Sequence, residues 1–266
     1  MISSMKDAFS AKGKNVLVTG GHSGIGLGIS KAFAEMGANI IITGRRKEEG
    51  ERAAAEIEAE FGTKARFYAG DLTTKGDPAR IVDAAFMEFG AIDVLVNNSG
   101  VVRWFESIEA DGNDFADWDD VIALDMTAPF VMSVLVAKKM RETGGGVIIN
   151  ITSNAGATVN TPQTTVSYSS AKAGVNHMTR MLAHEWAPYN IRVNAIAPGY
   201  TESNLAASQD QASAAKRNAE WMDKTPTHRR NKPIEIGAAA VYLASEAAAQ
   251  VTGEVLTVDG GYTLAN

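Results

Sequence analysis

The chain has 266 residues, with 25 Lys and Arg against 31 Asp and Glu, for a net charge of −6. That balance excludes non-specific nucleic-acid binding, which needs basic surface to displace counterions, and favours a small soluble substrate. There is no cysteine, which excludes disulfides, thiolate zinc sites and a cysteine nucleophile. The opening MISSMKDAFSAKGKN lacks the apolar core of a signal peptide, and no later run approaches the ~18 apolar residues of a membrane span. A cytoplasmic protein that engages no membrane is the expectation.

Short β-branched runs recur between Ala-rich helical stretches: NVLVT (15–19), NIIIT (39–43), ARFYA (65–69), DVLVN (93–97), VIINI (147–151), RVNAI (192–196) and VLTV (255–258). They are apolar on both faces, as buried parallel strands are, and most are separated by enough chain for a crossover helix. The pattern predicts an α/β fold, a doubly wound, seven-stranded parallel sheet with helices on both faces. No linker, repeat or low-complexity tract interrupts it, so residues 1–266 read as one domain.

The first run leads directly into Thr19-Gly20-Gly21-His22-Ser23-Gly24-Ile25-Gly26, and Leu27, Ile29, Phe33 and Met36 then follow at helical spacing before Gly37. Glycines here let the backbone turn sharply and let a pyrophosphate approach the free N–H groups of a helix start. A plain tight loop has similar letters; the placement between strand and helix favours a dinucleotide site.

Further on, Tyr168 and Lys172 stand at i and i+4, which puts a phenol and an ammonium on one helix face. A tyrosine with an ordinary pKa near ~10 becomes a useful acid/base near neutrality only if something such as a fixed cation lowers it. Alone, such a pair is most often a surface contact with no chemistry. His184-Glu185 does not extend to a zinc-binding HExxH, because Pro188 occupies the last position, and His22, His177 and His228 have no ligand spacing. No catalytic metal is predicted.

In order along the chain, Gly20, Gly24 and Gly26 form TGxxxGxG, Asn97-Asn98-Ser99-Gly100 follows strand four, and Ser153 follows strand five. Tyr168 and Lys172 then form YxxxK, Pro198-Gly199 follow strand six, and Val258-Asp259-Gly260-Gly261 lie near the end. From about Gly13 to Tyr262 the chain therefore resembles the short-chain dehydrogenase/reductases. The resemblance implies a Rossmann-type sheet and hydride exchange between a nicotinamide and a ketone or secondary alcohol. Tyr168 would carry the proton, Lys172 would lower its pKa and hold the nicotinamide ribose, and Ser153 would hydrogen-bond the reacting oxygen, with Thr152 its nearest competitor.

The cofactor residues follow from the same motifs. Gly20, His22, Ser23, Gly24, Ile25 and Gly26 would cradle the pyrophosphate; Asn98 and Gly100 lie beside them. Asp71-Leu72 resembles an adenine-contacting pair, or is a loop with a helix cap. Pro198, Gly199, Thr201 and Ser203 belong to the segment that holds the nicotinamide amide. An acid at the end of strand two would bind the ribose hydroxyls of NAD, whereas Arg45, supported by Arg46, suits the 2′-phosphate of NADP. NADP(H) is therefore preferred over NAD(H); otherwise the arginines simply open a solvated helix. Ser23 stands where the family frequently has a second basic residue.

At Asp125 the chain departs from the family, whose tetrad has Asn there, holding a water that relays protons to the lysine. Asp125 either lies too far from Lys172 to act on it, or opposes Tyr168 ionisation and raises the pH optimum for alcohol oxidation, or merely keeps the Asn shape. Residues 201–230 are expected to be a mobile lid over the substrate. Within His228-Arg229-Arg230-Asn231-Lys232 a solvated loop is preferred to an anion grip. The segment from Asn154 to Ser167 should border the pocket. A sugar acid, ketose or polyol is the first substrate expected, a 3-oxoacyl thioester or bulky ketone the second, and a non-catalytic dinucleotide-binding regulator the alternative of another class. The resemblance also implies a homotetramer built on the helices of Asp125 and Tyr168 and on the C-terminal strand region.

Overall fold

The computed structural model describes residues 4–110, 115–161, 163–203 and 211–264, without the side chains of 211–217. Their seven strands are β1 (Asn15–Thr19), β2 (Asn39–Gly44), β3 (Ala65–Ala69), β4 (Val94–Asn97), β5 (Gly146–Ile151), β6 (Ile191–Pro198) and β7 (Val255–Val258). All pair in parallel, in the order β3-β2-β1-β4-β5-β6-β7. Each predicted run is a strand, with ends displaced by at most two residues.

Helices α1 (Gly24–Glu35), α2 (Lys47–Phe61), α3 (Asp77–Phe89), α4 (Ala116–Thr143), α5 (Val166–Trp186), α6 (Gln211–Lys224) and α7 (Pro233–Ala244) make the crossovers. Successive strand residues point to opposite faces, so one strand feeds two cores. Val16, Val18, Ile40 and Ile42 pack with Ile29 and Phe33 of α1, Ile57 of α2 and Ile236 of α7. Leu17, Ile41 and Leu95 pack on the other face with Ile81 of α3, Met132 and Val136 of α4 and Leu182 of α5. Burying each such side chain is worth about 1.5–3 kcal/mol, which is why apolar residues fill the middle of the central strands.

The exceptions among buried polar groups tie the site together. Asn97 on β4 donates to Asn150 on β5 at 2.9 Å and to Ser133 on α4 at 2.9 Å, and Asn150 donates to Thr179 on α5 at 2.9 Å. This buried chain fixes α4 and α5 relative to the sheet ends. On the opposite face, α1 and α7 approach at Gly28 and Gly237, where an added Cβ would lie 2.5 Å from the Pro233 backbone and 2.7 Å from the Gly28 carbonyl oxygen.

Helix α4 is continuous but includes a π turn over Ala123–Thr127. By length and composition it is apolar enough to cross a membrane, more than the sequence pattern predicts. Met132, Val136 and Met140 are instead buried against the sheet.

Candidate active site

Strand order reverses between β1 and β4, and a crevice opens beyond their carboxyl ends, the place where open α/β sheets take ligands. A cavity of about 530 Å³ lies there. It brings together all the residues singled out from sequence for cofactor binding and catalysis, from Gly20 to Ser203.

At one end is the glycine turn. Gly24 has φ +52°, and a Cβ on Gly26 would sit 2.3 Å from the Gly20 carbonyl oxygen, so neither position accepts a side chain without rearrangement. Thr19 and Asn98 hold the turn: the Thr19 hydroxyl accepts from the Asn98 and Ser99 N–H groups at 2.9 Å, and the Asn98 amide donates to the Thr19 carbonyl at 2.9 Å. Ser23, extended at the start of α1, makes no side-chain cap. The first N–H groups of α1 therefore face the cavity side with no intrahelical acceptor, and the cradle fits a dinucleotide pyrophosphate.

The adenosine end reorders the two arginines. Arg45 is largely exposed, with its guanidinium 3.7 Å from Asp71. Arg46 folds back over the glycine turn instead, donating to Ser23 Oγ at 3.1 Å and contacting His22 Nε2 at 3.1 Å, with Glu49 2.7 Å from its other side. Burial, then the Arg46 charge, hold the His22 pKa below the ordinary value, so a neutral imidazole accepts from Arg46. The His22 ring lies over Gly44, where a Cβ would come within 2.6 Å of it. Gly44 thus occupies the end of β2 where an acid would serve NAD, and the imidazole fills the space. Asp71 accepts from Thr73 N–H at 2.9 Å in a loop turn while lining the cavity.

At the other end, β5 delivers Ser153, whose hydroxyl accepts from Ala155 N–H at 3.1 Å and lies against the phenol of Tyr168. Lys172, one turn along α5, lies 5.4 Å from the Tyr168 ring centre and donates to the Ile151 carbonyl at 3.2 Å. Asp125, on the π turn, is fully buried with its carboxylate 3.0 Å from the Lys172 ammonium. Of the alternatives left open by the sequence, separation by distance is therefore wrong. The pairing also changes the electrostatics. Burial raises the Tyr168 pKa; Lys172 pulls it down, Asp125 pushes it back up and Ser153 lowers it, for a net rise without cofactor, where the sequence leads one to expect a fall. Burial alone would lower the Lys172 pKa, but the Asp125 charge, the Tyr168 phenol and a contact with Asp125 together outweigh it, and the ammonium is held.

The substrate side of the cavity adds residues that the sequence did not place there. Asn154, Asn160 and Gln163 border it, as expected of their segment, but Trp104, Tyr200, Trp221 and Arg230 do so as well. Tyr200 stacks on Trp221 with ring centres 4.2 Å apart, and Gln163 donates to the Tyr200 hydroxyl at 2.9 Å. A buried Trp in the otherwise polar helix α6 was the available signal. Within 228–232 the solvated-loop expectation holds for His228, Arg229 and Lys232, which are exposed. It fails for Arg230, which lines the cavity, and for Asn231, buried and donating to the Val258 carbonyl. Of the proposed lid, residues 204–210 lie outside the described residues.

A nucleotide cradle and a Tyr–Lys–Ser group opening into one cavity are the equipment of a nicotinamide-dependent dehydrogenase or reductase. A family model described as enoyl-(acyl carrier protein) reductase matches residues 20–263. The galactitol 2-dehydrogenase (L-tagatose-forming) of Cereibacter sphaeroides is 39% identical over 262 residues, covering 97% of this chain and 98% of its own. The NADP-dependent mannitol dehydrogenase of Hypocrea jecorina is 36% identical over 260 residues, covering 97% and 95%. A crystal structure of a gluconate 5-dehydrogenase from Burkholderia cenocepacia, in complex with NADP and tartrate, superposes with a TM-score of 0.89 at 32% identity, covering 99% of this chain and all of its own. The chain belongs to the short-chain dehydrogenase/reductase family.

Proposed function

We propose that the protein interconverts a ketone and a secondary alcohol on a ketose or polyol, with NADP(H) as redox partner. The observation that carries this is the convergence of Tyr168, Lys172 and Ser153 on the cavity that also holds the glycine cradle. When bound, the nicotinamide supplies a hydride to the carbonyl carbon or takes one from the alcohol carbon. Ser153 donates a hydrogen bond to the substrate oxygen and Tyr168 gives or takes its proton, while Lys172 holds the ribose. Arg46 and Ser23, with Arg45 outside them, form the 2′-phosphate subsite. A relative named as NADP-dependent and a similar structure holding NADP support that preference.

A hydroxylated substrate is supported by the cavity wall. Asn154, Asn160 and Gln163 line it with hydrogen-bonding side chains. A hydroxyl both donates and accepts and can pair with such side chains, whereas an acyl chain cannot. The polyol and sugar names of the relatives point the same way. Arg230 favours a second reading, a sugar acid: it lines the cavity and, among the described residues, has no carboxylate within ion-pair distance. We further propose that the protein works as a homotetramer in which α4 and α5 of neighbouring copies meet.

The test is turnover of NADPH or NADH against ketoses, keto sugar acids, acetoacetyl thioesters and simple ketones. NADPH-dependent reduction of a ketose supports the first reading, and selective reduction of keto acids the second. Turnover confined to acyl thioesters overturns both. In the active pairing, Tyr168→Phe should lose about 10²–10⁴-fold in kcat with NADPH binding retained.

A further inference from the structure

The position that Asp125 occupies faces two donors. The Val101 N–H donates to Asp125 Oδ2 at 2.8 Å, and the Lys172 ammonium lies 3.0 Å from Oδ1. A carboxylate accommodates both, accepting the hydrogen bond from Val101 and pairing by charge with Lys172. An asparagine in the same place has one acceptor oxygen and one donor NH₂, so it would leave either Val101 N–H or Lys172 opposed by another donor. Asp125 is therefore more than an asparagine of the same shape. Space confirms how closely the pair is enclosed: a Cβ on Gly100 would lie 2.6 Å from Oδ1 and 3.5 Å from the ammonium.

The pair also redistributes the lysine. Of its three N–H donors, one faces Asp125 and one goes to the Ile151 carbonyl at 3.2 Å, which leaves one for a ribose hydroxyl. Neither partner meets bulk water, since Asp125 is fully buried and Lys172 keeps only 5% of its side chain exposed. In such surroundings the carboxylate cancels much of the field that the ammonium would otherwise direct at the phenol. The charged groups that act on Tyr168 are Lys172 from α5 and Asp125 from α4, with Ser153 beside it as a neutral hydrogen-bond partner. Across the same cavity stand Tyr200 and Arg230.

We propose that Asp125 is a positioning residue that locks Lys172 in a buried ion pair and keeps Tyr168 protonated to higher pH than an uncharged residue would. The site is thereby set for ketone reduction near neutral pH, with alcohol oxidation confined to alkaline solution. This rests on the reading of Tyr168 as the proton carrier. In reduction the phenol O–H breaks as the substrate oxygen takes the proton, so the rate falls when the phenol ionises. In oxidation the phenolate takes the alcohol proton, so the rate rises through the same titration.

The experiment compares pH profiles of kcat/KM in both directions for the parent, Asp125→Asn and Asp125→Glu. Asp125→Asn should move the alkaline limb of reduction and the acid limb of oxidation to lower pH by about one unit or more, the size that a neighbouring charge produces. Asp125→Glu, which keeps the charge, should stay nearer the parent. Phenolate absorbance, titrated in the full-length protein and differenced against Tyr168→Phe, reads the same group without turnover and without any change at Asp125. Its midpoint in the parent should lie at or above the ordinary value of about 10. Superimposed profiles, a shift to higher pH in Asp125→Asn, or a parent midpoint well below the ordinary value overturns the proposal. Failure of the underlying reading looks different: Tyr168→Phe would then keep its turnover.

Discussion

Arg45 and Arg46 are adjacent in sequence, yet they do different things because the chain turns into α2 between them. Arg46 is its N-cap and reaches back over Ser23 and His22, whereas Arg45 points outward toward Asp71. The guanidinium on Ser23 restores positive charge to a glycine turn that carries none of its own. Arg46→Ala should therefore weaken NADPH binding by about tenfold or more, the loss of roughly 1.5–3 kcal/mol for hydrogen bonds to a charged group, and leave NADH binding unchanged. Arg45→Ala should cost less. Fluorescence titration of both nucleotides on both variants checks this, and equal losses for NADPH and NADH would place the arginines outside the 2′-phosphate subsite. The sequence identified arginine as the residue type for this end; which of the two reaches the turn depended on the helix start.

At the scale of elements, the close approach of α1 to α7 is what lets the glycine turn sit where it does, since the turn and α1 are one continuous piece of chain. Gly28 faces the backbone of Pro233, and Gly237 faces the backbone of α1 in return. Gly28→Val forces the helices apart and should cost about 1–3 kcal/mol, or more if the shift reaches the turn. At this size of protein that is about 2–4 °C in Tm for each kcal/mol, read by thermal unfolding. An unchanged Tm would mean that the helices slide freely. The sequence showed two glycines on apolar helices but not that they face each other, because helix pairing across 200 residues leaves no local pattern. The π turn in α4 is a similar case. It presents Asp125 to Lys172, yet Ala123–Thr127 reads as ordinary helix.

For the whole molecule, apolar side chains remain uncovered on the two helices that carry the chemistry. Phe130 of α4 is 46% exposed, and Val166 and Met181 of α5 are 42% and 55% exposed, while Met178 and Leu182 of α5 pack inward. Met181 is therefore open to an interface, whereas Met178 and Leu182 belong to the core. A homotetramer burying these positions should appear by light scattering at about four times the chain mass, and Met181→Glu should shift it toward smaller species; a clean monomer would contradict the proposal. What the sequence by itself determined was the sheet, because buried parallel strands must be continuously apolar, and the residue types at the site, because glycine, tyrosine, lysine and serine are demanded by the backbone geometry and the chemistry at fixed points along the chain. What only the tertiary structure decided was which groups touch. The 3.0 Å pairing of Asp125 with Lys172, the seat of Arg46 on Ser23 and the entry of Arg230 into the cavity each join segments far apart in the chain, and their distances are set by how the helices pack on the two faces of the sheet.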